Sequence, residues 1–391
     1  MIMGQVKGVN LGGWLVLEKW MAPQLFAGTD AEDEYYLPQA LSKDVYEARM
    51  MMHRANFITE ADFLRIASLG INTVRLPVPY FIFGDRQPFL GGIDTLDNAF
   101  NWAEKYGLQI LLDLHTAPGS QNGFDNGGLT GVVTWAQQPE EVDFELSVLT
   151  RLAERYGQRQ GLYGIEALNE PATQRAFDMV SNRYQAKEPA MAANNQAISF
   201  EFLYEFYTRV YAALRPILAD DKIIMFHDGF DLTKWADFFT AHEFKNVVMD
   251  THHYLMLAEL AIGGSSYENY EQAMAVIGDN IAKLDAVVPV VVGEWSLFNS
   301  MALGQDSQGG VNPTQAEFKD EKGDDRASEA DLRQIYNRLW ELQIKTWGNA
   351  SVGYFYWSYK MNIDTVNDSA WYGWDSWSLD RAMNKQWATT L

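Results

Sequence analysis

The sequence predicts an α/β protein, a single (β/α)8 TIM barrel with extended βα loops, as one domain over residues 1–391. Three observations predict it. Eight short apolar runs recur along the chain, each near-continuous rather than alternating, as strands covered on both faces require. Amphipathic segments lie between them, and strand–helix alternation repeated eight times is the barrel pattern. The turn after the first run, Gly12-Gly13-Trp14, lacks the G-x-G-x-x-G spacing that usually opens a doubly wound sheet, the alternative architecture.

The predicted strands are Gly8–Gly13, Thr73–Val78, Gln109–His115, Leu162–Glu170, Lys222–Asp228, Val247–Tyr254, Pro289–Trp295 and Ser351–Tyr359. Thr59 followed by Asp62 reads as a helix start, and Phe63, Leu64, Ile66, Ala67 and Leu69 give one apolar side before Gly70. Further helices are expected at Thr95–Tyr106 and Phe144–Tyr156, stopped by Gly107 and Gly157, and at Phe200–Leu218. Others are expected at Lys234–Phe239, Tyr270–Leu284 and Glu329–Trp347. Two stretches read as long βα loops, Pro171–Asn195 and the Gly/Asp/Gln-rich Asn299–Arg326. Long loops in a compact domain are more often functional than not.

Composition removes several function classes. There is no cysteine, so no disulfide scaffold, zinc-thiolate site, iron–sulfur site or cysteine nucleophile. Lys+Arg is 30 against Asp+Glu 52, a formal net charge of −22, which repels phosphate backbones and argues against nucleic acid as a partner. No apolar run approaches a membrane span of about 18–20 residues. Met1 to Lys7 shows no long apolar stretch or small-residue cleavage site. The expectation is therefore a cytoplasmic protein, or a secreted one if an export signal has been removed. Aromatic residues make up 14%, which suits a large aromatic core or sugar recognition, because pyranose faces stack on rings. No G-x-S-x-G elbow, P-loop or H-E-x-x-H occurs, so serine-hydrolase, nucleotide and zincin readings have no motif. No cofactor or metal is expected, and the sequence leaves the oligomeric state open.

A barrel of this kind carries its active site at the C-terminal ends of the strands. Those ends hold Glu18, Arg75, Asp113-Leu114-His115, Asn169-Glu170, His227-Asp228, His252-His253-Tyr254, Glu294-Trp295 and Trp357. Polar groups at the ends of apolar strands are costly unless used. Glu170 and Glu294 end the fourth and seventh runs. A carboxyl pair is what glycoside hydrolysis requires, one to protonate the leaving oxygen and one to attack the anomeric carbon or activate water. Buried ion pairs, for instance with Arg75, are the other reading. His252 and His253 invite a metal, but strand neighbours point to opposite faces. One should face the site and the other pack under a helix.

These residues resemble the signature of glycoside hydrolase family 5 in clan A, and more narrowly its exo-β-1,3-glucanase subgroup. Gly8-Val9-Asn10-Leu11-Gly12-Gly13-Trp14-Leu15-Val16-Leu17-Glu18 and the run from Asp113 through His115 to Phe124-Asp125-Asn126 carry the resemblance. So do Val291-Val292-Gly293-Glu294-Trp295-Ser296 and Tyr356-Trp357-Ser358-Tyr359-Lys360. The resemblance implies a retaining, exo-acting β-glucosidase whose substrate is a small β-glucoside or β-gluco-oligosaccharide. It implies Glu170 as acid/base and Glu294 as nucleophile, with Asn169 on the sugar 2-hydroxyl and Arg75 keeping Glu294 ionised. Tyr254 would orient Glu294, His115 and His252 would line the −1 subsite, and Trp357 would be its platform. Glu18, Asp125 and Asn126 would bind sugar hydroxyls and close off further glycone subsites.

The chain departs from that pattern on the aglycone side. Phe124 is present, but Leu257 stands where the subgroup has the second phenylalanine of a +1 clamp. Pro171–Asn195 is longer than its counterpart and is expected to fold over the leaving group with Phe177, Met179, Tyr184 and Met191. A disaccharide, aryl or lipid glycosidase on the same scaffold is the alternative within enzymes, and an inactive sugar-binding barrel the alternative outside them. Trp371, Trp374 and Trp377 after the last strand read either as a rim platform for sugar or as packing at the barrel end.

Overall fold

A computed structural model describes residues 5–302, 329–363 and 374–389. Eight parallel strands close into a barrel in sequence order. They are β1 (Val6–Asn10), β2 (Thr73–Val78), β3 (Gln109–Leu114), β4 (Leu162–Glu166), β5 (Ile223–His227), β6 (Val247–His252), β7 (Val290–Trp295) and β8 (Gly353–Tyr356). β1 pairs with β8 as well as β2, which closes the ring. Each strand is buried on both faces, and this is why the runs read as continuous apolar blocks. Leu111, Met225, Val248, Val291 and Phe355 fill the lower barrel interior. A larger apolar layer joins the outer strand faces to the helices.

The predicted strands are all present, with shifts at their ends. β1 begins at Val6 and β4 ends at Glu166 rather than Glu170. Ala167 and Asn169 leave the ladder but still donate backbone bonds to Met225 and Leu114, which carries the chain outward to Glu170. The helix Glu329–Trp347 falls where expected, and Glu60–Ser68 is capped by Asp62, which accepts from the Thr59 N–H at 2.8 Å. Gly107 ends Ile93–Tyr106 in the left-handed region at φ 70°.

Among the described residues five helices were not legible, the first being the single turn Leu37–Ala40. Lys43–Asn56 buries Tyr46, Met50, His53 and Arg54 but exposes Val45, Met51 and Met52, so its apolar pattern is scrambled. Gln174–Arg183 lies inside the stretch read as loop, which is thus corrected to a helix followed by a short 3-10 turn, Pro189–Ala192. Leu255–Ile262 and Leu379–Asn384 are the others. Most of Asn299–Arg326, and Trp371, lie outside the described residues. Among the described residues no helix is long and apolar enough to cross a membrane.

Candidate active site

Side chains alternate along each strand, so counting back by two from the strand ends finds a second inward layer. Arg75, Asp113, Glu166 and Asp250 form it, all 0% exposed. The Arg75 guanidinium donates to Glu166 at 2.8 Å, Glu294 at 2.7 Å, Asn10 at 3.0 Å and Asn169 at 2.8 Å. It also lies 3.1 Å from Asp113. One cation thus neutralises several buried carboxylates, and removing it would leave them unpaired. Arg75 is a buried ion-pair centre that also touches Glu294.

Glu294 is held at both oxygens, by Arg75 and by the Tyr254 hydroxyl at 2.6 Å. Glu170 receives the Asn126 amide at 2.7 Å and His252 Nδ1 at 2.8 Å. The same His252 nitrogen lies 3.6 Å from Glu294. Glu170 sits in the left-handed region at φ 46°, a strained backbone for a non-glycine residue. Burial pushes both glutamates up. At Glu170 burial is the largest single influence, but the bond and charge of His252, the Asn126 bond and the charge of His115 together outweigh it and leave the carboxyl below the ordinary range. At Glu294 the charges of His252 and Arg75 oppose burial without cancelling it, so the carboxyl stays above its ordinary value. Burial disfavours charge on His252, yet Glu294, Asp250 and Glu170 together raise it well above ordinary histidine.

His115 stacks on Trp357 with ring centroids 5.7 Å apart, while its Nδ1 bonds Asp113. His115, Asn169 and His252 lie beneath the pocket, where Asn169 meets His115 and His252 meets Glu170, rather than forming its open wall. His253 points outward and stacks under Trp347, as the alternation requires. Gly12 is needed for close approach, because a Cβ there would lie 2.7 Å from the Trp357 ring.

The open pocket is walled by Glu18, Trp20, Phe124, Asp125, Asn126 and Trp357, with Trp377, Tyr254 and Leu257. Trp20 was not singled out by sequence. It donates to Glu18 at 2.8 Å and packs on Trp374 and Trp377. Trp377 lines the pocket, whereas Trp374 is wholly buried packing. Asn126 bonds Glu170, a role the hydroxyl-binding expectation did not include. Burial pushes Glu18 up strongly, and Asp125 up to about 6. Gln121 braces the site by donating to the carbonyls of His115 and Asn169.

On the aglycone side Leu257 lines the pocket, and a ring from another loop stands near Phe124. Phe230, after β5, stands edge-on to Phe124 at 6.1 Å. Met179 and Tyr184 of the Pro171–Asn195 stretch line the pocket, but Phe177 packs behind and Met191 belongs to a cluster with Tyr36. As to metals, Glu170, His227 and His252 offer ligand atoms within 4.8 Å of one another, as do Glu166, Asp250 and His252. In the second group Arg75 already supplies a positive charge.

A closed parallel barrel with two glutamates converging at its strand ends defines a glycoside hydrolase. The sequence pattern of the family described as Cellulase (glycosyl hydrolase family 5) matches residues 40–362. The chain is 39% identical over 302 residues to a probable glucan 1,3-beta-glucosidase A of Emericella nidulans, covering 75% of this chain and 67% of that one. It is 34% identical over 304 residues to glucan 1,3-beta-glucosidase 1 of Schizosaccharomyces pombe, covering 75% and 68%. The chain spans about two thirds of the length of these relatives. Among solved structures, a rutinosidase from Aspergillus niger matches in fold with TM-score 0.70 at 21% identity, covering 98% of each chain. The chain belongs to glycosyl hydrolase family 5.

Proposed function

We propose that the protein is a retaining, exo-acting β-glucosidase that removes terminal β-glucosyl residues from short β-glucosides or β-gluco-oligosaccharides, without a metal. The observation that carries this is the unequal setting of the two glutamates. One imidazole nitrogen reaches an oxygen of Glu170 at 2.8 Å and an oxygen of Glu294 at 3.6 Å, a closeness that supports the retaining arrangement over the wide inverting separation of about 6.5–9.5 Å. The names of the relatives, glucan 1,3-beta-glucosidases, support the glucosyl reading.

In the first half-reaction Glu294, aimed by Arg75 and Tyr254, attacks the anomeric carbon while Glu170 gives its proton to the departing oxygen. The His252–Glu170 pair holds that proton across 2.8 Å. In the second half Glu170 takes a proton from water, which displaces Glu294 from the sugar. Asn169, fixed by Arg75, offers its amide to the 2-hydroxyl. Trp357 is the platform for the glucosyl ring. Glu18 and Asp125 take its far hydroxyls and leave no room for a second glycone unit. Phe124, Phe230, Met179, Tyr184 and Leu257 make the leaving-group side largely apolar, which favours a compact or aryl aglycone over a long polymer.

The test is product analysis over laminari-oligosaccharides, β-linked disaccharides and aryl β-glucosides, some blocked at the non-reducing end, with and without chelator. Glucose is expected as the sole released sugar, blocked substrates should resist, and chelation should change nothing. Rapid mid-chain scission would show an open cleft, and metal-restored activity would refute metal independence.

A further inference from the structure

His227 ends β5 beside the acid/base, and the chemistry proposed above leaves it without a task. It is fully buried. Its ring stands edge-on to His252 at 4.5 Å and to Phe230 at 5.2 Å. The backbone N–H of Gly229 donates to its Nδ1 at 3.0 Å. A nitrogen that accepts a hydrogen bond carries no proton, so in the neutral ring the hydrogen sits on Nε2. Burial, followed by the charge of His252, keeps the ring neutral by lowering its pKa well below ordinary histidine. Asp228 Oδ1 is 3.6 Å from Nδ1, too far to claim that nitrogen, and its carboxylate accepts instead from Phe230 N and Thr251. Nε2–H has no hydrogen-bond partner among the described residues.

A buried donor left unmade is costly, and such a group needs an explanation. The candidate acceptor is close, since Glu170, His252 and His227 bring side-chain ligand atoms within 4.8 Å of one another. A distance of that size would be bridged by one water or by a rotation of the Glu170 side chain. We propose that His227 is a positioning residue for Glu170, its Nε2–H holding the carboxylate in the ionised stage of the cycle, after Glu170 has given its proton to the leaving group. His252 serves the resting pair, and His227 serves the charge that appears during turnover.

This inference rests on Glu170 as acid/base. The groups that face Glu170 electrostatically are His252 and Tyr254 from the β6 end, His115 and Asp125 from the β3 side, Glu18 from the β1 side and Glu294 from β7. His252 also stands against His227, so the comparison of two variants that both change that ring contact separates the Nε2 donor from an indirect effect through His252.

Two variants isolate the donor. His227→Asn keeps an acceptor near Nδ1 for Gly229 but removes the Nε2 donor, and His227→Gln restores an N–H near the Nε2 position. Each is compared with wild type in kcat/KM against pH, on an aryl and on an alkyl β-glucoside, after thermal melting confirms folding. A donor to the carboxylate favours its charged form, so its loss raises the pKa of the acid. The alkaline limb of His227→Asn should move up by roughly 0.5–1 pH unit. Its kcat/KM should fall about tenfold more on the alkyl than on the aryl substrate, because the poorer leaving group needs more proton transfer. His227→Gln should stay near wild type. An unchanged limb in a folded His227→Asn, or equal changes in both variants, overturns the role of His227. A wild type without a bell-shaped profile overturns instead the assignment of Glu170.

Discussion

Glu170 and Glu294 are both buried, yet their partners differ, and the difference sets their chemistry. Glu294 is fixed by Arg75 and Tyr254, whereas Glu170 is held by the lighter contacts of Asn126 and His252. A group that must give and take a proton needs the second kind of setting. Glu170→Ala should lower kcat on an alkyl glucoside by about 10²–10⁴. Azide should then restore turnover of an activated aryl glucoside and yield the β-glucosyl azide, with no such rescue if Glu170 is structural. The same pair predicts the pH profile. In the proposed mechanism Glu294 must be ionised to attack, and burial holds it above its ordinary value, so the acidic limb of kcat/KM should lie above the ordinary glutamate pKa of about 4.3. The alkaline limb follows the proton shared by Glu170 and His252, whose imidazole is held well above ordinary histidine. An acidic limb at or below the ordinary glutamate value would contradict this. At this scale much was legible, because Glu170, Glu294, Arg75, His115, Tyr254 and Trp357 sit at strand ends inside recognisable runs. Trp20 and Phe230 were not, since each lies in no periodic pattern and meets its ring partners, Trp374 and Trp377 or Phe124, only through the closed barrel.

The strands were readable because burial on both faces writes a continuous apolar block. Helices that bury charged residues were not, as Lys43–Asn56 shows with His53 and Arg54 inside and Met51 and Met52 outside. The helix Gln174–Arg183 was hidden because its apolar residues face a pocket wall rather than the barrel. A second buried charge was equally invisible. Glu145 lies on the helix Pro139–Tyr156, predicted from Phe144, fully buried, with neither carboxylate oxygen hydrogen-bonded among the described residues. Burial, reinforced by Glu141, keeps it protonated well above ordinary glutamate. The folded chain then binds a proton that the unfolded chain releases at neutral pH, which costs stability as pH rises. Glu145→Gln removes that cost. Thermal melts should show a higher Tm than wild type at pH 8 and a much smaller gain at pH 5. Equal shifts at the two values would mean that Glu145 is not held neutral.

The whole molecule carries the same signature. Burial raises Glu34 to about 7, Asp228 to about 7 and Asp125 to about 6. Each contributes stability present below its unfolded pKa and lost as pH rises through the folded one, so these groups weaken the fold between about pH 4 and 7. Burial lowers His53 to about 4 and His253 to about 3. Their contribution is present above the unfolded value near 6.5 and lost as pH falls toward 3–4. With a net charge of −22 adding self-repulsion at high pH, Tm should peak on the acid side of neutrality, at roughly pH 5–6. A maximum above pH 7.5 would show that the buried carboxyls are ionised in the native state.

Retention at the anomeric carbon is the claim on which the roles of both glutamates depend. Proton NMR of an aryl β-glucoside during the first minutes of hydrolysis, before mutarotation, reads it directly. The β-anomer of glucose should appear first and the α-anomer only as it equilibrates. An α-anomer released first would mean inversion, and Glu294 would then activate water rather than attack the sugar.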